Sequence, residues 1–147
     1  MENLKPIDIL LVEDNAGDAR LVKEALFEGK LKNILHTVTD GVEAMNFLFK
    51  RNKYKDESLP DLILLDLNLP KKNGIEVLAE IKADENLKRI PIVVLTISKS
   101  EEDILKSYNL HANCFIVKPL DLSKFMEVVK SIEDFWFTIV KLPNRKF

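Results

Sequence analysis

A chain of 147 residues, 46% hydrophobic and 31% charged, fits one globular domain with a real core and is neither disordered nor fibrous. A formal charge of −2 without a long basic run gives no electrostatic basis for binding nucleic acid or an anionic membrane, and no apolar stretch approaches the ~20 residues of a membrane span. Met1–Lys5 lacks the apolar segment of a secretion signal, and the single Cys114 sits inside an apolar run as a small hydrophobe, which leaves a reducing, cytoplasmic setting as the default.

Ile7–Val12, apolar except for Asp8, is a run with no alternation, as expected of a strand covered on both faces. Asn15–Glu28 then shows a helical stripe of Leu21, Val22, Ala25 and Leu26, with Gly29 placed to end it. Ile34–Thr39 predicts a shorter strand nearer an edge. Asp40 and Glu43 have capping-box spacing ahead of a helix whose inward face is Ala44, Phe47 and Leu48. Arg51–Pro60 is a polar loop, longer than a compact connection needs. Leu62–Asp66 predicts the third strand, and Asn73 caps a following helix with Val77, Leu78 and Ile81 inward. Ile92–Thr96 predicts the fourth strand. The helix near Ser100–Asn109 is expected to turn Ile104, Leu105 and Tyr108 inward, and Cys114–Lys118 is the fifth strand. The last helix starts after Asp121 and runs to about Val140, before Pro143. Five strand–helix units predict an α/β fold, a doubly wound parallel sheet with helices on both faces. The domain is expected over residues 1–140, with a tail at 141–147.

Four of these runs end in polar residues of different kinds: Glu13–Asp14, Asp66, Thr96 and Lys118–Pro119. In adjacent parallel strands they meet at the carboxyl edge of the sheet, where open α/β sheets bind ligands. Clustered carboxylates suit a hard divalent cation, and a hydroxyl with an ammonium suits an anion beside it. The pattern therefore reads as a site for a metal ion and a phosphoryl group. Singly, each residue has a plainer reading. Glu13–Asp14 alone is better taken as a solvated strand end, and Thr96 as a β-favouring residue at a strand terminus. Asp66 needs a partner, since an isolated buried charge protonates or destabilises the fold, and a structural ion pair with Lys118 would supply one. Lys118–Pro119 is either an ordinary strand stop or a place where a cis peptide sets the direction of the ammonium.

With these residues in place, the chain resembles the receiver domain of response regulators, the phosphoryl-accepting half of two-component signalling. The resemblance spans about Ile7 to Ile139 and rests on LLVEDN (Leu10–Asn15), LILLDLNLPKKNG (Leu62–Gly74), IVVLT (Ile92–Thr96) and FIVKP (Phe115–Pro119), in the family's order and spacing. The Arg51–Pro60 loop and the Ser107–Asn113 stretch resemble compact receivers without an output domain, including those paired with bacterial phytochromes. The resemblance implies a flavodoxin-like three-layer sandwich with a five-stranded sheet in the order 2-1-3-4-5. It implies Asp66 as phosphoacceptor, with Thr96 hydrogen-bonding the phosphoryl group and Lys118 pairing with it. Mg²⁺ would be held by Asp14 directly, by Glu13 through water, by Asp66 and by the Asn68 carbonyl. That ligand set agrees with the few carboxylates and phosphoryl oxygens Mg²⁺ takes. The partner implied is a sensor histidine kinase, followed by an effector or a histidine phosphotransfer protein. The protein would promote only its own phosphorylation and dephosphorylation, turning over no substrate, and would signal through a changed binding surface. No output domain is expected, since only Lys141–Phe147 follows the last helix.

Three positions depart from the common pattern of the family. The acidic pair is Glu-Asp in place of Asp-Asp, Phe115 stands where many receivers have tyrosine, and Ile97 stands where a small residue is usual and would narrow the approach to Asp66. The last helix carries surplus apolar surface at Trp136, Phe137 and Val140, which predicts a homodimer through that helix. Two rival classes fit less well. An aspartyl-phosphate phosphatase would want an acid two residues after the nucleophile, where Asn68 stands, and a flavin or nucleotide binder would want a Gly-rich first loop.

Overall fold

A computed structural model describes residues 6–29, 32–139 and 141–142, and the side chains of all of these except 137–139. Strands β1 (Ile7–Val12), β2 (Asn33–Val38), β3 (Leu62–Leu65), β4 (Ile92–Thr96) and β5 (Cys114–Val117) are parallel and lie in the order β2-β1-β3-β4-β5. Helices α1 (Ala16–Phe27), α2 (Gly41–Leu48), α3 (Gly74–Ala83), α4 (Glu101–Asn109) and α5 (Leu122–Glu133) alternate with them. This is the expected doubly wound sheet. Among the described residues, no helix is long and apolar enough to cross a membrane.

The two-residue period of a strand divides the core between the two faces. Leu10 and Val12, Ile63 and Leu65, and Ile92 and Val94 pack with α2 and α3 through Phe47, Leu48, Val77 and Ile81. Their neighbours Ile9 and Leu11, Leu62 and Leu64, and Val93 and Leu95 pack with α1 and α5 through Val22, Leu26, Phe125 and Val129. Each such aliphatic, fully removed from water, contributes on the order of 1.5–3 kcal/mol. Burial on both faces is why these three strands read as apolar runs without alternation, Asp8 of β1 excepted.

Caps set the helix starts. Asn15, Asp40, Asn73, Ser100 and Asp121 each accept a backbone N–H from three residues on. Only Asn73 with Glu76 closes both halves of a capping box. The α4 expectation is corrected: Ser107 is its buried residue, Ile104 is half-buried, and Leu105 and Tyr108 are exposed. The α4 stripe is rotated off the sheet, and the Tyr108 hydroxyl instead accepts the Phe115 N–H at 3.2 Å.

The last helix also differs from expectation. Regular α-helix stops at Glu133 and a π-helical turn, Asp134–Ile139, follows. The wider turn carries Trp136 onto the core face beside Ile132 and leaves Phe135 half exposed, edge-on to the Trp136 ring. Trp136 is thus largely buried within the domain, while the Phe137 side chain and Val140 lie outside the described residues. No cis peptide occurs among the described residues, so the Lys118–Pro119 bond is trans.

Candidate functional site

Strand register brings the predicted residues to one edge. Val12 pairs with Leu65, and the Asp66 N–H continues the ladder to the Val12 carbonyl at 3.0 Å, so Glu13 and Asp66 leave adjacent strands side by side. On the other side the Lys118 N–H donates to the Thr96 carbonyl at 2.7 Å, which sets Lys118 beside the end of β4. Glu13, Asp66, Thr96 and Lys118 are all buried, whereas Asp14 and Asn68 are exposed.

The Lys118 ammonium sits among three carboxylates. Its Nζ lies 2.5 Å from Glu13 Oε1, 2.9 Å from Asp66 Oδ2 and 2.9 Å from Asp18 Oδ2. The second oxygen of Asp66 accepts the Asn68 N–H at 3.0 Å, and that of Glu13 accepts the Asn15 N–H at 3.2 Å. Carboxylate oxygens of Glu13, Asp14 and Asp66 fall within 4.8 Å of one another. The edge therefore gathers three carboxylates about one ammonium, with that of Asp14 beside them. That surplus of negative charge, with hard oxygen donors, fits a divalent cation such as Mg²⁺.

Electrostatics divide the buried pair. Burial, then the hydrogen bond shared with Asp66, pushes Glu13 up to about 7 against the pull of Lys118. For Asp66, burial acts upward but is outweighed by its bonds to Glu13, the Asn68 amide and Lys118, and its carboxyl falls below the ordinary range. Burial opposes the charge on Lys118, yet its three carboxylate partners raise its pKa. In the cation-free protein a proton shared by the pair therefore favours Glu13 over Asp66.

Residues 9–130 match the family model described as the response regulator receiver domain. The chain belongs to that family. It is 49% identical over 142 residues to response regulator Rcp1 of Synechocystis sp., with 97% of each chain covered. It is 38% identical to the probable methanogenesis regulatory protein FilR2 of Methanothrix harundinacea, over 98% of this chain and 92% of that one. Among solved structures, the phosphorylated cyanobacterial phytochrome response regulator RcpA superposes with a TM-score of 0.93 at 53% identity, over 95% of this chain and all of that one. The Mn²⁺-bound form of Rcp1 superposes with a TM-score of 0.92 at 50% identity, with the same coverage.

Within this receiver domain, Asp18 is the residue that sequence reasoning missed. It lies in the first turn of α1, where acids are common for helix-dipole reasons, so it gave no distinct signal. The clue was arithmetic: one predicted ammonium against an excess of predicted carboxylates. Thr96 is in place but its hydroxyl is not hydrogen-bonded to Asp66; it accepts the Ser98 N–H at 3.4 Å, and Ser98 Oγ donates to Asp103 of α4 at 2.6 Å. Phe115 is half-buried and packs against the core on the α2–α3 side, and Ile97 is 57% exposed just beyond Thr96.

Proposed function

We propose that this receiver accepts a phosphoryl group on Asp66 from a sensor histidine kinase, in a Mg²⁺-dependent reaction. The observation that carries the reading is the buried, ionised Asp66 held between the Lys118 ammonium and the Asn68 amide, with Glu13 and Asp14 beside it. An Asp66 oxygen attacks the phosphorus of the phosphohistidine; the P–O bond forms as the P–N bond breaks, and the imidazole leaves with the electron pair. Lys118 meets the negative charge carried by the phosphoryl oxygens, and Thr96 supplies a hydroxyl to one of them. A cation held by Glu13, Asp14, Asp66 and the Asn68 carbonyl would supply further positive charge to the same group.

The output is a binding surface, not turnover of a separate substrate. Drawing the Thr96 hydroxyl toward the phosphoryl group releases the Ser98 amide that it now accepts, and through Ser98 and Asp103 that change reaches α4. Phe115, half-buried on β5, is placed to repack with it. The similarity to phytochrome response regulators supports a light-sensing kinase as the donor in the cytoplasm, with an effector or a histidine phosphotransfer protein downstream. The test is phosphotransfer from an autophosphorylated histidine kinase, with Mg²⁺ and with chelator. Label should appear on the wild-type chain only with the metal, and equal transfer in chelator would contradict the reading.

A further inference from the structure

At the end of the sheet opposite the acidic edge, a cavity of about 400 Å³ opens between the end of α2, the chain leading into β3 and the α3–β4 connection. Its volume lies in the range that takes a small organic ligand. Leu48, Leu59, Leu87 and Ile90 give it an apolar wall, and four charged residues border it: Lys50, Arg89, Asp61 and Asp84. Each acid has one oxygen engaged by the backbone. Asp61 Oδ2 accepts the Asp8 N–H at 2.9 Å, and Asp84 Oδ1 accepts the N–H groups of Asn86 and Leu87 at 2.8 and 3.1 Å. The bases are not so engaged: among the described residues, neither the Lys50 ammonium nor the Arg89 guanidinium has an ion-pair or hydrogen-bond partner.

Lys50 also occupies an unusual backbone position. It follows α2 with φ 56°, its N–H donating to the Phe47 carbonyl and that of Arg51 to the Asn46 carbonyl, at 3.1 and 2.8 Å. Glycine fills this left-handed position after a helix without steric cost, and lysine does not. The chain bears that cost and in return keeps an ammonium at the lip of the cavity.

We propose that this cavity binds a small amphipathic carboxylate, an aromatic or short aliphatic body carrying one acid group. The body packs on Leu48, Leu59, Leu87 and Ile90, and the carboxylate lies between Lys50 and the planar fork of Arg89. β3 separates the cavity from Asp66 by its four residues, about 13 Å at ~3.3 Å each, so the ligand would not touch the acidic edge. The test titrates the full chain with 4-phenylbutyrate and, separately, its neutral analogue 4-phenylbutanol, following backbone amide resonances. The acid should give saturable shifts at Lys50 and from Leu87 to Ile90, and the alcohol should bind about tenfold more weakly or worse. Lys50→Gln with Arg89→Gln should weaken the acid by about tenfold and leave the alcohol unchanged, while Asp66→Asn should bind the acid as wild type does. Equal binding of acid and alcohol, indifference to the double substitution, or no saturable shift by about 10 mM would overturn the proposal.

Discussion

Glu13 and Asp66 are neighbours of the same chemical type whose environments push their proton affinities apart. Glu13, pushed up to about 7 by burial and by Asp66, must lose its proton before it can serve a cation, so protons and metal compete there. Calorimetric Mg²⁺ titration should therefore show an affinity nearly flat above about pH 8 and roughly tenfold weaker at pH 6. Glu13→Gln should flatten that dependence; an unchanged slope in the variant would place the competing proton elsewhere. Ile97, exposed and branched beside Thr96, bears on approach rather than binding. Ile97→Ala should speed reaction with acetyl phosphate more than with a docked kinase, because docking already orients the donor. Equal acceleration of both, or none, would show that the side chain does not gate Asp66. Of the residue-scale site, Glu13, Asp14, Asp66 and Lys118 were legible because each ends an apolar run, and a run that ends abruptly marks a strand terminus. Asp18 was not legible, since its place on α1 looks like any acid in a first helical turn.

Some packing contacts close on glycine. Gly74 opens α3 directly over the Asp66–Leu67 backbone, its N–H donating to the Leu67 carbonyl at 2.9 Å, and a Cβ there would run into main-chain atoms that cannot rotate away. Gly74→Ala should cost about 1–3 kcal/mol in urea denaturation and disturb the loop that presents Asp66. A loss below a few tenths would mean that α3 moves freely. Gly29 similarly makes room for the carboxyl of Glu133, which is buried with Oε2 unpartnered. Burial, then the like charge of Asp134, raises the Glu133 pKa against the pull of Lys130. A raised folded-state pKa stabilises fully below the unfolded value, and that contribution is lost as pH rises through the folded one. Glu133→Gln should therefore be more stable than wild type at pH 8, with the gap closing as pH falls through the carboxylate range. The same gap at both pH values would assign the effect to shape instead of charge. At this scale the sequence reading failed where burial is partial. α4 buries only Ser107, so its apolar stripe is not a core stripe, and no residue pattern announces the π-helical turn that carries Trp136 inward.

Across the whole molecule, one sheet performs two tasks. Its three inner strands, buried on both faces, fix the frame, and the parallel arrangement delivers every strand's carboxyl end to one rim. Strand order was legible through family motifs, not through periodicity, because apolar runs of this kind say that a strand is covered but not which strand lies beside it. The half-buried edge strand β5 shows the limit: Cys114–Val117 reads like an inner strand, yet it has a single neighbour. The apolar wall of the opposite cavity was invisible in sequence, since its residues come from the end of α2 and from two separate connections. Phosphoryl acceptance belongs to the rim, and intact-mass measurement after incubation with acetyl phosphate and Mg²⁺ reads it out. The wild-type chain should gain ~80 Da, one phosphoryl unit, and Asp66→Asn, folded by its amide spectrum, should gain nothing. An equal gain on both chains, or none on the wild type, would contradict Asp66 as the phosphoryl acceptor.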